Sequence, residues 1–151
     1  MEDSVREKSY LNKVKKYAGI ISPDYSVYVD LPFAHQIWNI YRDRVTCMWL
    51  RSLGLNVIFN IRWGDYRTYK IVFYGVEKHS VLAVGSHGLI KHPENRAIFM
   101  NGFKEMIRRL EPEALIIYGP YTDEMKIICE TNNVKVVHFE AEQVEARKEK
   151  N

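Results

Sequence analysis

Five short apolar runs rich in β-branched residues punctuate this chain: "AGIIS", "NVIFNI", "SVLAV", "ALIIY" and "VKVVHF". Each has the length of a buried strand, and the stretches between them are long enough to hold helices. Strands alternating with helices pair in parallel, because a crossover returns the chain to start the next strand in the same direction. The order is strand, helix, strand, crossover, strand, helix, strand, helix, strand. The expected fold class is α/β, a single domain with a mainly parallel sheet of about five strands. It is either doubly wound or a partial (β/α) barrel. The barrel-like arrangement is preferred, because nothing in the sequence marks a reversal of strand order.

The helices have their own signals. "DLPFAHQIWNIYRDRVTCMWLRSLGL" opens with Asp30 and Pro32 and closes at Gly54, with Ile37, Tyr41, Val45, Met48 and Trp49 expected along its buried side. Its polar row, His35, Gln36, Asn39, Arg42 and Asp43, is expected to face solvent or a partner. Pro93 opens a second helix with Phe99, Phe103, Met106, Ile107 and Leu110 on one face, and Thr122 is the expected N-cap of "DEMKIICETNN". Residues 66–79 read either as a half-buried strand, with Tyr69, Ile71 and Phe73 on one face, or as a crossover. Val5, Tyr10, Leu11, Val14 and Tyr17 suit an amphipathic helix. The domain plan is thus an N-terminal helix (1–17), the α/β domain (18–140) and a charged, helix-compatible tail (141–151).

Composition narrows the function classes. Apolar residues make up 46% of 151, enough for one core, and a net charge of +3 does not indicate nucleic acid. The basic residues near the start (Lys8, Lys13, Lys15, Lys16) and at Arg147–Lys150 are mixed with acids and read as solvated faces. Cys47 and Cys129 are too few and too far apart for a disulfide framework or a zinc site, so buried reduced thiols and a cytoplasmic protein are expected. No signal-peptide core and no membrane-spanning run is present. The nucleotide, metalloprotease and serine-hydrolase motifs are missing, so the cofactor stays unassigned and no metal is expected.

In a parallel α/β sheet the loops that follow the strands gather on one edge, where ligands bind. Here those loops hold Ser22 to Ser26 with Asp24 and Tyr25, then Arg62, Trp63, Gly64 and Asp65, then Gly85, Ser86, His87 and Gly88, then Tyr118, Gly119 and Pro120, and last Phe139 and Glu140. The loops leading into the strands ("LGL", "EKH", "EPE", "TNN") contain plain turn chemistry. The expected ligand-binding residues are therefore Asp24, Tyr25, Arg62, Trp63, Asp65, Gly85, Ser86, His87 and Tyr118. Trp63 and Tyr25 would stack, Arg62 would meet an anion, and Gly85 to His87 would offer backbone donors. Asp24, Asp65 and His87 are the candidate catalytic groups. Each also has a plain reading: Asp24 closing a turn, Asp65 capping the next segment, Trp63 buried at a rim.

"SPDYSVYVDLPFAHQIWNIYRDR", "GLNVIFNIRWGD", "LAVGSHG" and "FMNGFKEMIRRLEPEALIIYG" together resemble the domain of unknown function 4417 family, over about residues 18–120. The resemblance places motif positions at Ser22–Ser26, Trp63–Asp65, Gly85–Gly88 and Tyr118–Gly119. It implies an origin in bacteria, their phages or mobile elements, and it transfers no activity. Arg62 departs from the small hydroxyl residue more usual there.

The leading expectation is a phage or mobile-element protein that binds a small polar or nucleotide-like ligand at the strand-end edge and acts on host physiology or defence signalling. The alternatives are a hydrolase or lyase using Asp24, Asp65 and His87, and a protein-interaction factor that redirects a host machine through the helix after Asp30. Homo-oligomerisation is expected from the exposed edges of an open half-barrel.

Overall fold

The computed structural model describes residues 11–141. Five strands, β1 (Ile20–Ile21), β2 (Val57–Asn60), β3 (Val81–Gly85), β4 (Ala114–Tyr118) and β5 (Lys135–Phe139), form one sheet. They lie in chain order and every neighbouring pair is parallel. The helices are α1 (Phe33–Ser52), α2 (Tyr69–Val72), α3 (Pro93–Leu110) and α4 (Asp123–Thr131). The sheet has no reversal of strand order, so the winding is that of a partial (β/α) barrel.

Strands laid down in one direction by right-handed crossovers put every helix on the same face. The core has that form. Val57, Phe59, Ile61, Leu82, Val84, Leu115 and Ile117 pack in one cluster with Cys47 and Leu50 of α1, Val72 of α2, Phe103 and Met106 of α3, and Met125 and Cys129 of α4. The α3 stripe is buried as its spacing predicts. Thr122 caps α4 by accepting from the Met125 N–H at 3.4 Å, and both cysteines are free and buried.

Residues 66–79 are a crossover, not a strand. Only one helical turn, α2, forms, and Tyr69, Val72, Phe73 and Val76 turn inward at helical rather than alternating spacing. Of the expected N-terminal helix, residues 11–14 are helical and 1–10 lie outside the described residues; the tail beyond 141 lies outside them as well.

The largest correction concerns α1, which is rotated relative to its hydrophobic pattern. Gln36, Asn39, Ile40, Asp43, Cys47 and Leu50 are the buried residues. Tyr41, Val45, Met48 and Trp49, expected inside, are 42–67% exposed, as is Trp38. The reason is a polar seam between α1 and the segment after β1. Gln36 Nε2 donates to the Leu31 carbonyl at 2.9 Å, and Asn39 Nδ2 donates to the Ser26 carbonyl at 2.8 Å. Ser22 Oγ accepts from the Asn60 N–H at 2.9 Å. The Asp43 carboxylate pairs with Arg44, whose guanidinium also donates to the Val72 and Tyr74 carbonyls. The loop after β1 exposes backbone carbonyls inside the fold, and buried carbonyls need donors. The polar side of α1 supplies them, which turns the apolar side outward. Burial lifts the Asp43 carboxyl above the usual range, opposed by its bond to Ser22 and the charge of Arg44.

This arrangement makes a contrast that ordinary burial rules reverse. Asp43→Ala leaves the largely buried Arg44 unpaired and should cost about 3 kcal/mol. Met48→Ala, on the apolar side of the same helix, should change stability by less than about 0.5 kcal/mol. Urea unfolding of the two variants measures both; equal losses would contradict the rotation of α1.

Candidate functional site

At the C-terminal edge of β2 and β3 the structure encloses a cavity of about 440 Å³. One wall is the segment Val27–Asp30 and the opposite wall is the first turns of α3, with Asn95, Ile98 and Phe99. Ile61 and Val84 form the floor, and Arg62, Trp63, Gly85, Gly88 and Leu89 complete the rim. The size suits a small ligand, and the lining is mainly apolar with a few polar groups.

Arg62 is the charged residue that ties this rim together. Its Nη1 donates to the Gly85 carbonyl at 3.1 Å and its Nη2 to Asp24 Oδ2 at 3.2 Å. The guanidinium thus joins the ends of β1, β2 and β3, and a guanidinium has further N–H donors. Asp24 is nearly half exposed and Arg62 is mostly covered, at 45% and 20%. The carboxylate can therefore swing into solvent more easily than the guanidinium can leave.

The rest of "RWGD" is packed from behind. Trp63 is only 6% exposed and packs against Phe99 with ring centroids 5.4 Å apart. Its indole lies so close to Gly102 of α3 that a Cβ there would stand 2.1 Å from Trp63 Nε1. Gly64 has the same constraint, since a Cβ would meet Gln36 Oε1 at 2.4 Å. That oxygen is buried without a hydrogen-bond partner. Asp65 accepts from the Arg67 N–H and Nε, both at 3.0 Å. Those bonds hold its carboxyl below the usual range, while its carbonyl receives the Thr68 hydroxyl at 2.7 Å. Its observed role is therefore the local cap of the turn before α2.

The other residues named from sequence divide. Gly85 belongs to the rim. Ser86 is fully buried and its hydroxyl donates to the Pro120 carbonyl at 2.7 Å, which stitches the β3 loop to the β4 loop. His87 is exposed, with its ring 6.5 Å from that of Tyr118. Tyr25 does not line the cavity; its ring lies under the Arg42 guanidinium at 4.2 Å. Asp24, Arg62 and Gly85 are thus brought together, while Asp65 is engaged with Arg67. Tyr28, Asp30, Asn95 and Ile98 line the cavity without having been expected there. The usable signal was geometric: the helix that follows a strand-end loop presents its first turns to the same edge. Among the described residues no group of His, Cys, Asp and Glu is arranged to hold a metal ion. No helix among them is long and apolar enough to cross a membrane.

The fold and rim define a singly wound parallel α/β protein with a pocket at the C-terminal edge of its sheet. The chain belongs to the family described as Domain of unknown function (DUF4417), whose pattern matches residues 4–140 and so extends past the 18–120 span of the motifs. It is 31% identical over 119 residues to the Gene 1 protein of Mycobacterium phage L5, covering 78% of this chain and 52% of that one. It is 29% identical, again over 119 residues, to the Gene 1 protein of Mycobacterium phage D29, covering 44% of it. The chain therefore spans about half the length of the curated relatives it matches. No solved structure matches it.

The packing behind the rim is directly testable. Gly102→Ala should destabilise by about 2 kcal/mol by displacing Trp63. It should also redshift the tryptophan fluorescence as water reaches the indole. Unchanged stability and emission would show that the Trp63–Gly102 contact is not needed.

Proposed function

We propose that this chain, related to phage proteins, binds a small nucleotide-like or similarly flat, polar-edged molecule in the cavity at the C-terminal edge of β2 and β3. The observation that carries this reading is the pairing of an apolar slot of about 440 Å³ with the Arg62 guanidinium on its rim. Val27, Ile61, Val84, Ile98 and Phe99 would cover a flat ring, and burying such a ring supplies affinity. Arg62 would meet an anionic group on that ring, and Asp30 or Asn95 would fix its orientation through hydrogen bonds. Asp24 is then a stand-in: it occupies Arg62 when the ligand is absent and yields to the ligand's anion. In this reading Trp63 acts as a packed wall rather than a free stacking platform. Binding, and through it an effect on the host cell, is the function proposed; turnover is not needed.

A second reading is favoured by the outer face of α1. Trp38, Tyr41, Val45 and Met48 follow one another at three- and four-residue steps, and Trp38 stacks on Tyr41 with centroids 5.6 Å apart. That spacing is the seam of a helix pair. Arg42 and Arg51 are exposed on the same helix, and its acid, Asp43, is buried. A host protein docking here would therefore present apolar side chains flanked by acids.

Thermal-shift screening against nucleotides and phosphorylated sugars separates the two readings. A ligand at 100 times its Kd should stabilise the wild type by about 2.7 kcal/mol, a shift of several degrees. Arg62→Ala and the cavity-filling Ile98→Trp should abolish that shift, and Asp24→Asn should enlarge it for anionic ligands. Val45→Glu should leave it intact. A shift that survives both Arg62→Ala and Ile98→Trp, or no shift with any ligand, removes the cavity reading.

A further inference from the structure

Asp30 is a helix-start signal in the sequence that the fold does not use. The cap position of α1 is Pro32, and no side chain caps the helix. The Asp30 carboxylate is exposed and, among the described residues, has no hydrogen-bond or ion-pair partner. Asp30 nevertheless lines the cavity. It shares one wall segment with Asp24. Asp24, at the start of that segment, is held by Arg62 at 3.2 Å. Asp30 stands at its end, where the Leu31 N–H closes a turn on the Tyr28 carbonyl. Val27, Tyr28 and Val29 form the wall between them. The wall thus runs from a guanidinium at one end to a free carboxylate at the other.

The other polar side chains of the lining discriminate little. The Asn95 amide and the Tyr28 hydroxyl each donate and accept, so they adapt to either kind of ring edge. An ionised carboxylate only accepts, and its two oxygens lie side by side. It holds an edge that presents two adjacent donors and rejects an edge that presents lone pairs. Among the common nucleobases guanine has such a donor edge, its ring N–H beside its exocyclic amine. Adenine and cytosine set a ring-nitrogen lone pair beside the amine. Uracil flanks its N–H with two carbonyls.

We propose that the cavity takes a guanine nucleotide, with the donor edge of the base on Asp30 and the phosphate on Arg62, an assignment that rests on the cavity reading above. The two contacts lie at opposite ends of such a ligand, as the two side chains lie at opposite ends of the wall. The ring between them meets Val27, Ile61, Val84 and Phe99. The ribose diol is the other donor pair of a nucleotide, but it lies beside the phosphate rather than at the far end from it.

Calorimetric titration of the full chain with the monophosphates of guanosine, deoxyguanosine, inosine, adenosine and xanthosine tests this. The wild type should bind the guanosine and deoxyguanosine forms within about 3-fold of each other, the inosine form about 10-fold more weakly and the adenosine form about 100-fold more weakly. Asp30→Asn removes no contact within the protein and should match the wild type by circular dichroism. Its amide offers that edge one donor and one acceptor. It should therefore weaken guanosine monophosphate by about 10-fold and favour xanthosine monophosphate, where a carbonyl replaces the exocyclic amine. Adenosine monophosphate binding as tightly as the guanosine form overturns the assignment, as does a guanine preference that survives Asp30→Asn. Loss of binding on removing the ribose 2′-hydroxyl overturns it too, because Asp30 would then meet the sugar. If a nucleotide without guanine binds best and Arg62→Ala abolishes that binding, the cavity reading stands and the guanine assignment falls. No binding of any nucleotide removes both.

Discussion

The rest of the structure depends on the direction in which the sheet is wound. Each strand is added on the same side of the last, and each right-handed crossover lands its helix on the same face. Every later property follows from that asymmetry. The core lies between the sheet and α1 to α4, and the strand ends form one uninterrupted edge. A doubly wound sheet would have covered both faces and opened a crevice where the strand order turns. Here there is no such turn. The pocket lies instead between the strand ends and the start of α3, where the loop after β1 folds over the edge.

That loop also explains why the first helix misleads a reader of its hydrophobic pattern. Periodicity identifies a helix because apolar side chains usually face the core. It fails for α1 because the chain leaving β1 has left its carbonyls unpaired inside the fold, and Gln36 and Asn39 supply donors for them. The helix itself, its length and its closing glycine were all legible in "DLPFAHQIWNIYRDRVTCMWLRSLGL". Its rotation was not, since rotation is set by backbone carbonyls five and thirteen residues away that carry no side-chain signal. α3 is the counter-example: its buried stripe joins the apolar cluster that holds Leu82, Val84 and Leu115, and its pattern reads correctly. Sequence periodicity works where the facing surface is side chains and breaks where it is backbone.

The candidate site was legible to a similar degree. The edge was readable, because strand ends collect there by topology alone. Asp24, Arg62 and Gly85 do meet on it. The division of labour among the residues was not readable. Trp63 and Asp65 lie on either side of a glycine, and a tryptophan beside an aspartate in a loop invites a binding role. Whether such a pair faces a ligand or the protein depends on the helix packed behind it. Gly102 on α3 has no side chain, so the indole packs into that space and borders the cavity as a wall.

"RWGD" is therefore better understood as a wedge than as a lip. Trp63 goes back into α3, Gly64 lets Gln36 of α1 approach from the other side, and Asp65 ties down the turn toward α2. Three helices are thus fixed by three successive residues at the end of one strand. The fourth residue, Arg62, cannot follow them, because a guanidinium buried without acceptors is costly. It turns instead to the strand edge, where the Gly85 carbonyl and Asp24 accept from it. The packing that makes Trp63 unavailable as a stacking platform is the same packing that holds Arg62 at the mouth of the cavity. Under the proposed reading, Arg62 is thereby the residue that would select a ligand by charge.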